Sequence, residues 1–329
     1  MEEKDLLKLL AEKEANSSIK YDKLPDPPSL VEAPTIPLAQ EILPDGWKPI
    51  DLEMLPSKGF GYPNGIRIFI RSASVEEIKH FSTVDENDPI SKDERLNLIL
   101  ERCLKIQFQG GELSYLDLHQ DDRFNVVLRI KEMTFISPEN KLMLGTRKDC
   151  KKEEDSPCII PSTIELESEY LRNFEMPEWL KEYYNKGRGS FIFEPENGDP
   201  LVELFIPSVG VTTQIRKIIS WKEQKGKKYD EIFANISPFV IPNWRNLSEE
   251  TYDQYEALSK KWTITQFTII DNIRKEIKFH IRDVFVVCSK CGAEVTAPIS
   301  FPGGLRSLFV ISNFDRKLFK KYTPPANRT

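Results

Sequence analysis

Ile66-Arg67-Ile68-Phe69-Ile70-Arg71, followed closely by Ser74-Val75-Glu76-Glu77, decides the class of fold. Ile66, Ile68 and Ile70 occupy every second position, the period of a strand with one buried face. Ser74 then offers a side-chain oxygen to a helix start, and Glu77 three residues on can reach back to it, a capping box. Strand gives way to helix within a few residues. Ser91 to Leu104 reads as an amphipathic helix with Leu96, Ile99, Leu100, Cys103 and Leu104 inward, opened by a second box at Ser91 and Glu94. Leu113 to Met133 reads as one or two further helices that turn Leu116, Val127, Leu128 and Ile130 to the core.

Beyond this block the same alternation of types continues. Short β candidates at 141–145 and 159–166 flank Cys150. Residues 190–193 and 201–206 read as a hairpin about Pro195, Asn197, Gly198 and Asp199. Thr212 to Trp221 and Tyr229 to Ala234 read as helices. Ser248 to Lys275 reads as one long helix with Tyr252, Tyr255, Leu258, Trp262, Thr265 and Ile269 near one face, and Phe279 to Phe301 as a hairpin around Cys288 and Cys291. No fixed-period repeat is visible. Helices in blocks, without regular βαβ alternation, predict an α+β fold: a helical core with short antiparallel strands and a zinc-knuckle hairpin near the C-terminus. The globular core is assigned to 51–312 and a tail to 313–329.

Residues 1–50 differ. Asp5 to Ala15 is a short charged helix candidate with Leu6, Leu7, Leu9 and Leu10, too short to stand alone in water. Pro25, Pro27, Pro28, Pro34, Pro37 and Pro44 follow, each removing a backbone donor and pushing its predecessor out of the helical region. This is an extended arm. It reads either as a flexible tail or as a strap along a neighbouring subunit, with the Leu cluster as its anchor.

The 329 residues are 40% hydrophobic and 30% charged, enough apolar material for one large or two modest cores. A net charge of −6 speaks against a protein whose main task is gripping phosphate backbones. No stretch approaches the roughly 20 apolar residues that cross a bilayer, and the start Met1-Glu2-Glu3-Lys4-Asp5 has no secretory pattern. A soluble intracellular protein is expected.

Five cysteines in such a chain argue against a disulfide framework. Cys103, among Leu98, Ile99, Leu100 and Leu104, reads as core packing. Cys288-Ser289-Lys290-Cys291-Gly292 between strand-like runs reads as a zinc knuckle, in which a tight turn brings two sulfurs onto one ion. Tetrahedral zinc needs a second pair, and Cys150 with Cys158 is the available supplier. Ligation by Cys150, Cys158, Cys288 and Cys291 leaves no open position, so the zinc would be structural. A thioredoxin-type reading of Cys288 and Cys291 fails because a strand, not a helix, follows them.

Asp117-Leu118-His119-Gln120-Asp121-Asp122 is the best enzyme-like cluster, since His and carboxylates at this density can hold a divalent metal or move protons. On a helix, however, Asp117 and Asp121 share a face that His119 does not. A solvated helix start is the plainer reading. Lys58-Gly59-Phe60-Gly61-Tyr62-Pro63-Asn64-Gly65 precedes a strand, where a dinucleotide loop would follow one. It reads as a hairpin-like entry segment. Lys222 to Lys228 reads as a solvated basic loop.

Leu55-Pro56-Ser57-Lys58-Gly59-Phe60-Gly61-Tyr62-Pro63, with Ile68-Phe69-Ile70-Arg71 and Ser74-Val75-Glu76-Glu77-Ile78, resembles the start of the baseplate hub and hub-assembly proteins of T-even-like contractile-tailed phages. The Leu96–Leu104 helix, and Leu113, Asp117 or Asp121 with Val127-Leu128-Arg129-Ile130, resemble the helices that follow in that family. The likeness is clearest over 55–130; the Pro-rich arm and the enlarged region 159–275 depart from it. It implies a non-enzymatic structural or assembly protein of the infected bacterial cytoplasm or the virion tail baseplate. Other hub or tail proteins, or further copies of the chain, would be its partners. The competing readings are a metal-dependent hydrolase using the Asp117–Asp122 cluster and a zinc-ribbon nucleic-acid-binding protein.

Overall fold

A computed structural model describes residues 46–108, 111–135, 143–145, 163–173, 175–287, 294–298 and 304–309, all within the unit spanning 42–329. The arm up to residue 45 and the tail 313–329 lie outside the described residues. Lys48–Ile50, the last residues assigned to the arm, form β1 and pair antiparallel with β2 (Arg67–Ile70). The sheet therefore starts before the expected core boundary.

Arg71 and Glu77 secure the step from strand to helix. Ser74 caps α1 (Val75–Ser82) with the expected box, and Arg71 grips the Glu77 carboxylate through both terminal nitrogens at 3.0 and 2.5 Å. Burial alone would raise the Glu77 carboxyl; the Arg71 and Ser74 donors instead lower it to about 2. The next helix, α2 (Pro89–Cys103), begins earlier than the Ser91 box predicts. Asp88 is the cap, accepting from Ile90 N at 2.9 Å, and Pro89 supplies a pre-set φ at the first position. Ser91 Oγ accepts instead from Asp85 N at 3.0 Å.

The chain returns as β3 (Leu104–Phe108) and β4 (Gly111–Leu113), completing an antiparallel sheet in the order β1-β2-β3-β4. A short 3-10 turn (Tyr115–Asp117) and α3 (Arg123–Thr134) follow, so only part of the Leu113–Met133 span is α-helical. Ile68, Phe81, Ile99, Leu100, Cys103, Leu118, Val127, Leu128 and Ile130 share one core with no accessible surface. Each such large apolar side chain is worth about 1.5–3 kcal/mol relative to exposure. Cys103 is core packing, its thiol pushed up to about 12 by burial.

β5 (Met143–Gly145) pairs with β6 (Thr163–Glu165), joining the two short β candidates that flank Cys150. β7 (Leu171–Asn173) and the short α4 (Glu178–Lys181) lead to β8 (Tyr184–Asn185), β9 (Ser190–Phe193) and β10 (Val202–Phe205). The predicted hairpin is present, with Phe193 opposite Val202, in a sheet ordered β10-β9-β8. Its Phe191 and Leu204 form a second core. A third core lies among α5 (Val209–Gln224), α6 (Glu231–Val240) and α7 (Glu249–Ser259), centred on Phe233 and Tyr252.

The long helix expected over Ser248 to Lys275 is two. α7 ends at Ser259, and α8 (Ile264–Glu276) opens on a full capping box between Thr263 and Gln266. Thr263 Oγ1 also donates to the Asp199 carboxylate in the β9–β10 turn, which pins the break. Ile270 is buried in the second core with Ile269 packed partly buried against it, and Leu258 stays half exposed. Finally β11 (His280–Val287) pairs antiparallel with β12 (Glu294–Pro298), the predicted hairpin, with β7 on the other side of β11.

Candidate functional site

The entry segment turns sharply because its residues allow left-handed backbone: Lys58, Gly59, Gly61 and Gly65 all have positive φ. That turn wraps the segment around one carboxylate. Ser57 N and Ser57 Oγ donate to Asp122 Oδ1 and Oδ2 at 2.9 and 2.6 Å, and Tyr62 OH donates to Oδ2 at 2.8 Å. Tyr62 OH in turn accepts from His119 N at 2.9 Å, while the two rings stack at 3.8 Å between centroids. Gly61 is required twice over, since a Cβ there would overlap Ile206 Cδ1 and press on His119 Cε1 at 3.1 Å.

Asp122 has no accessible surface and His119 is 6% exposed, so this is not the solvated helix start expected from the sequence. Nor does the cluster lie on one helix: Asp117 ends the 3-10 turn, Asp122 is the residue before α3, and the chain between them leaves the helical path. Leu118 O accepts from Val209 N and Pro207 O from Gln120 N, both at 2.8 Å, and His119 forms a bridge with Ser208. These bonds stitch the segment before α3 to the start of α5. Extended backbone tied to a distant strand-like partner has replaced the helical turn that local charge density suggested.

Burial sets the chemistry. It raises the Asp122 carboxyl to about 6, against three donors that favour the charge, and lowers His119 to about 3. At neutral pH the imidazole is neutral, with Nδ1 buried and unpartnered among the described residues and 3.9 Å from Asp122 Oδ2. The other carboxylates point elsewhere. Asp117 accepts from Ser114 N, from Trp244 Nε1 at 2.9 Å and from Arg245 at 2.7 Å; Asp121 accepts from Phe279 N at 2.7 Å. The four residues join four parts of the chain, and among the described residues no group of three His, Cys, Asp or Glu converges on a point.

A second buried ionic group adjoins it. Arg123, 5% exposed, donates to Asp93 Oδ1 at 2.7 Å, to Asp93 O at 2.9 Å and to Asn97 Oδ1 at 2.8 Å, and Arg216 of α5 reaches the other Asp93 oxygen. Against burial, which would raise it, the two guanidiniums hold the Asp93 carboxyl below its usual range. Lys222, read from sequence as part of a solvated loop, is 3% exposed. It pairs with Asp253 and Glu256 and lies 5.0 Å above the Tyr252 ring, so its stem fills the third core while its charge is met at the rim.

Cys150, Cys158, Cys288 and Cys291 lie outside the described residues. The strands bounding them are described: Gly145 faces Thr163 across the first cysteine pair, and Val287 faces Glu294 across the second. β5 lies against β12.

The contacts of Ser57 and Tyr62 with Asp122 escaped sequence reasoning, because the partners are about 60 residues apart in the chain. The clustered positive-φ glycines beside a hydroxyl and a phenol were the one available signal. No family model matches the chain, and no curated protein and no solved structure matches it significantly.

Proposed function

We propose that the chain is a non-enzymatic structural or assembly protein of a contractile-tail phage baseplate hub, acting by protein–protein scaffolding. Its place would be the infected bacterial cytoplasm or the tail baseplate of the virion. One observation supports this reading: the residues that carry the resemblance, 55–130, come together as one frame. Asp122 ties the Leu55–Pro63 segment to α3, and Glu77 ties β2 to α1. Side chains with chemical potential are used as internal fastenings. Among the described residues no helix is long and apolar enough to cross a membrane.

In this reading Cys150, Cys158, Cys288 and Cys291 hold one structural zinc, four thiolates being the donor set of a closed site. The proximity of the two bounding hairpins, β5–β6 and β11–β12, supports it. Metal analysis of the purified full chain should find one zinc per chain, lost in Cys288→Ser; a zinc-free, folded wild type would contradict it. For the scaffold, affinity capture of the tagged chain from infected cells should recover hub or tail proteins. Asp121→Asn, which keeps an acceptor for Phe279 N, should leave assembly intact. Loss of function by that variant with its fold unchanged would point instead to a hydrolase.

A further inference from the structure

Two Asn-Gly pairs lie among the described residues, Asn64-Gly65 and Asn197-Gly198, and all four residues are exposed. Asn followed by Gly is a chemically reactive step. Glycine has no side chain to shield its backbone nitrogen, and once base removes the proton that nitrogen can close on the Asn side-chain carbon, Cγ. In a folded chain the reaction needs two free groups, the glycine N–H and the Asn amide. The two pairs differ in both.

Asn197 is held at each atom that would have to move. Its Nδ2 donates to Asp199 Oδ2 at 2.8 Å and to Thr265 Oγ1 of α8 at 3.2 Å, and its Oδ1 accepts from Asp199 N at 3.2 Å. The nucleophile is held too, since Gly198 N donates to Pro195 O at 3.2 Å. A bonded N–H is harder to deprotonate, and an amide tied to a helix cannot swing towards it. Asp199 is in turn fastened by Thr263 Oγ1, so the whole turn is fixed to the start of α8.

Asn64 makes no hydrogen bond among the described residues, and neither does Gly65 N. Their turn is closed by Ile66 N donating to Pro63 O at 3.3 Å, a bond that passes over both residues and uses no group of either. Gly65, with a φ of 74°, takes the left-handed position such a turn needs. The flanks are anchored, Tyr62 on Asp122 and Ile66 in the first core, which leaves Asn64 and Gly65 as a loose link between two fixed points.

We infer that Asn64 is a site of spontaneous deamidation in the folded protein, and that the fold shields Asn197 from the same reaction. Gly65 N bonds to Asn64 Cγ, the Cγ–Nδ2 bond breaks, and Nδ2 leaves as ammonia with the proton taken from Gly65. Water then opens the succinimide ring. Attack at Cγ gives aspartate, and attack at the former main-chain carbonyl gives isoaspartate. Either product puts a carboxylate where an amide stood, and isoaspartate adds a main-chain carbon between the Asp122-fastened segment and β2. This goes beyond the scaffold reading and does not require it.

Peptide mapping by mass spectrometry tests it on the full chain, aged in mildly alkaline buffer either folded or unfolded in urea. In the fold, aspartate and isoaspartate should accumulate at Asn64 about tenfold or more faster than at Asn197, because the hydrogen bonds of Asn197 and Gly198 must open first. In urea the two rates should converge. No conversion at Asn64, equal rates in the folded chain, or the same gap persisting in urea would each overturn the inference.

Discussion

The two halves of the chain differ in what they leave in water. In the half built on β1–β4 and α1–α3, charged and hydroxyl side chains are turned inward and consumed: Asp122 by Ser57 and Tyr62, Asp93 by Arg123, Glu77 by Arg71. In the half built on β8–β10 and α5–α8, more large apolar side chains remain outside, among them Ile264 at 87% and Leu201 at 59% exposure, against Val75 and Met54 in the first half. Such residues contribute little to the stability of the fold. The comparison sets a frame fastened by buried polar pairs against a half that leaves more apolar surface in water, and it can be broken at several points.

The largest effect should come from comparing two buried cations. Arg123→Ala leaves Asn97 and one oxygen of the buried Asp93 unmet, with Arg216 alone still pairing the carboxylate, so we expect a loss of about 3 kcal/mol in urea unfolding. Lys222→Ala releases the half-exposed Asp253 to water, leaves the buried Glu256 to Lys260 and empties the stem's place in the third core, so about 2 kcal/mol is expected. Equal losses would erase the distinction between the halves.

The next effect is one of pH. The Asp122 carboxyl is raised from 3.8 to about 6 in the fold, so its stabilising contribution is full below about 3.8 and lost as pH rises through 6. His119 is lowered from 6.5 to about 3, so its contribution is present above 6.5 and lost as pH falls towards 3. Between about pH 4 and 6 the two slopes oppose each other. Asp122→Asn removes one of them, and its stability relative to wild type should rise with pH across that window, by at most about 1.4 kcal/mol per unit. A pH-independent difference would show that the carboxyl does not titrate there.

A pair of glycines gives an effect of similar size. Gly61→Ala must accept a positive φ and a collision with Ile206, so about 2–3 kcal/mol should be lost. Gly198→Ala, with similar φ and open space, should lose about 1 kcal/mol. Least of all, Leu201→Ser and Ile264→Ser should change stability by no more than about 0.5 kcal/mol while weakening capture of partners. A large loss of stability would make these residues part of the core instead.

What could be read from the sequence follows the range of the forces involved. The β2 strand, the Ser74 box, and the hairpins β9–β10 and β11–β12 are local patterns, and each is present, but β2 buries Phe69 as well as Ile68 and Ile70 and so is covered on both faces. The Ser91 box failed because Asp88-Pro89, three residues earlier, opens the helix first: Asp88 caps Ile90 N and Pro89 is already fixed in helical φ. The α7–α8 break was hidden because apolar residues keep a helical period across Trp262; only Thr263 and Gln266 mark it, and Asp199 fixes it from another element. Asp122 and Lys222 were read as solvated because charge usually is, and nothing local announces Ser57, Tyr62 or Tyr252 as partners.

Hydrogen exchange at the Ser57 amide tests the frame most directly, because that N–H donates to the most deeply buried carboxylate of the described residues while sitting in a loop. Exchange as slow as that of the α3 core amides, released only by global unfolding, is the predicted result. Exchange at the rate of an open loop would contradict the claim that Asp122 locks this segment into the core.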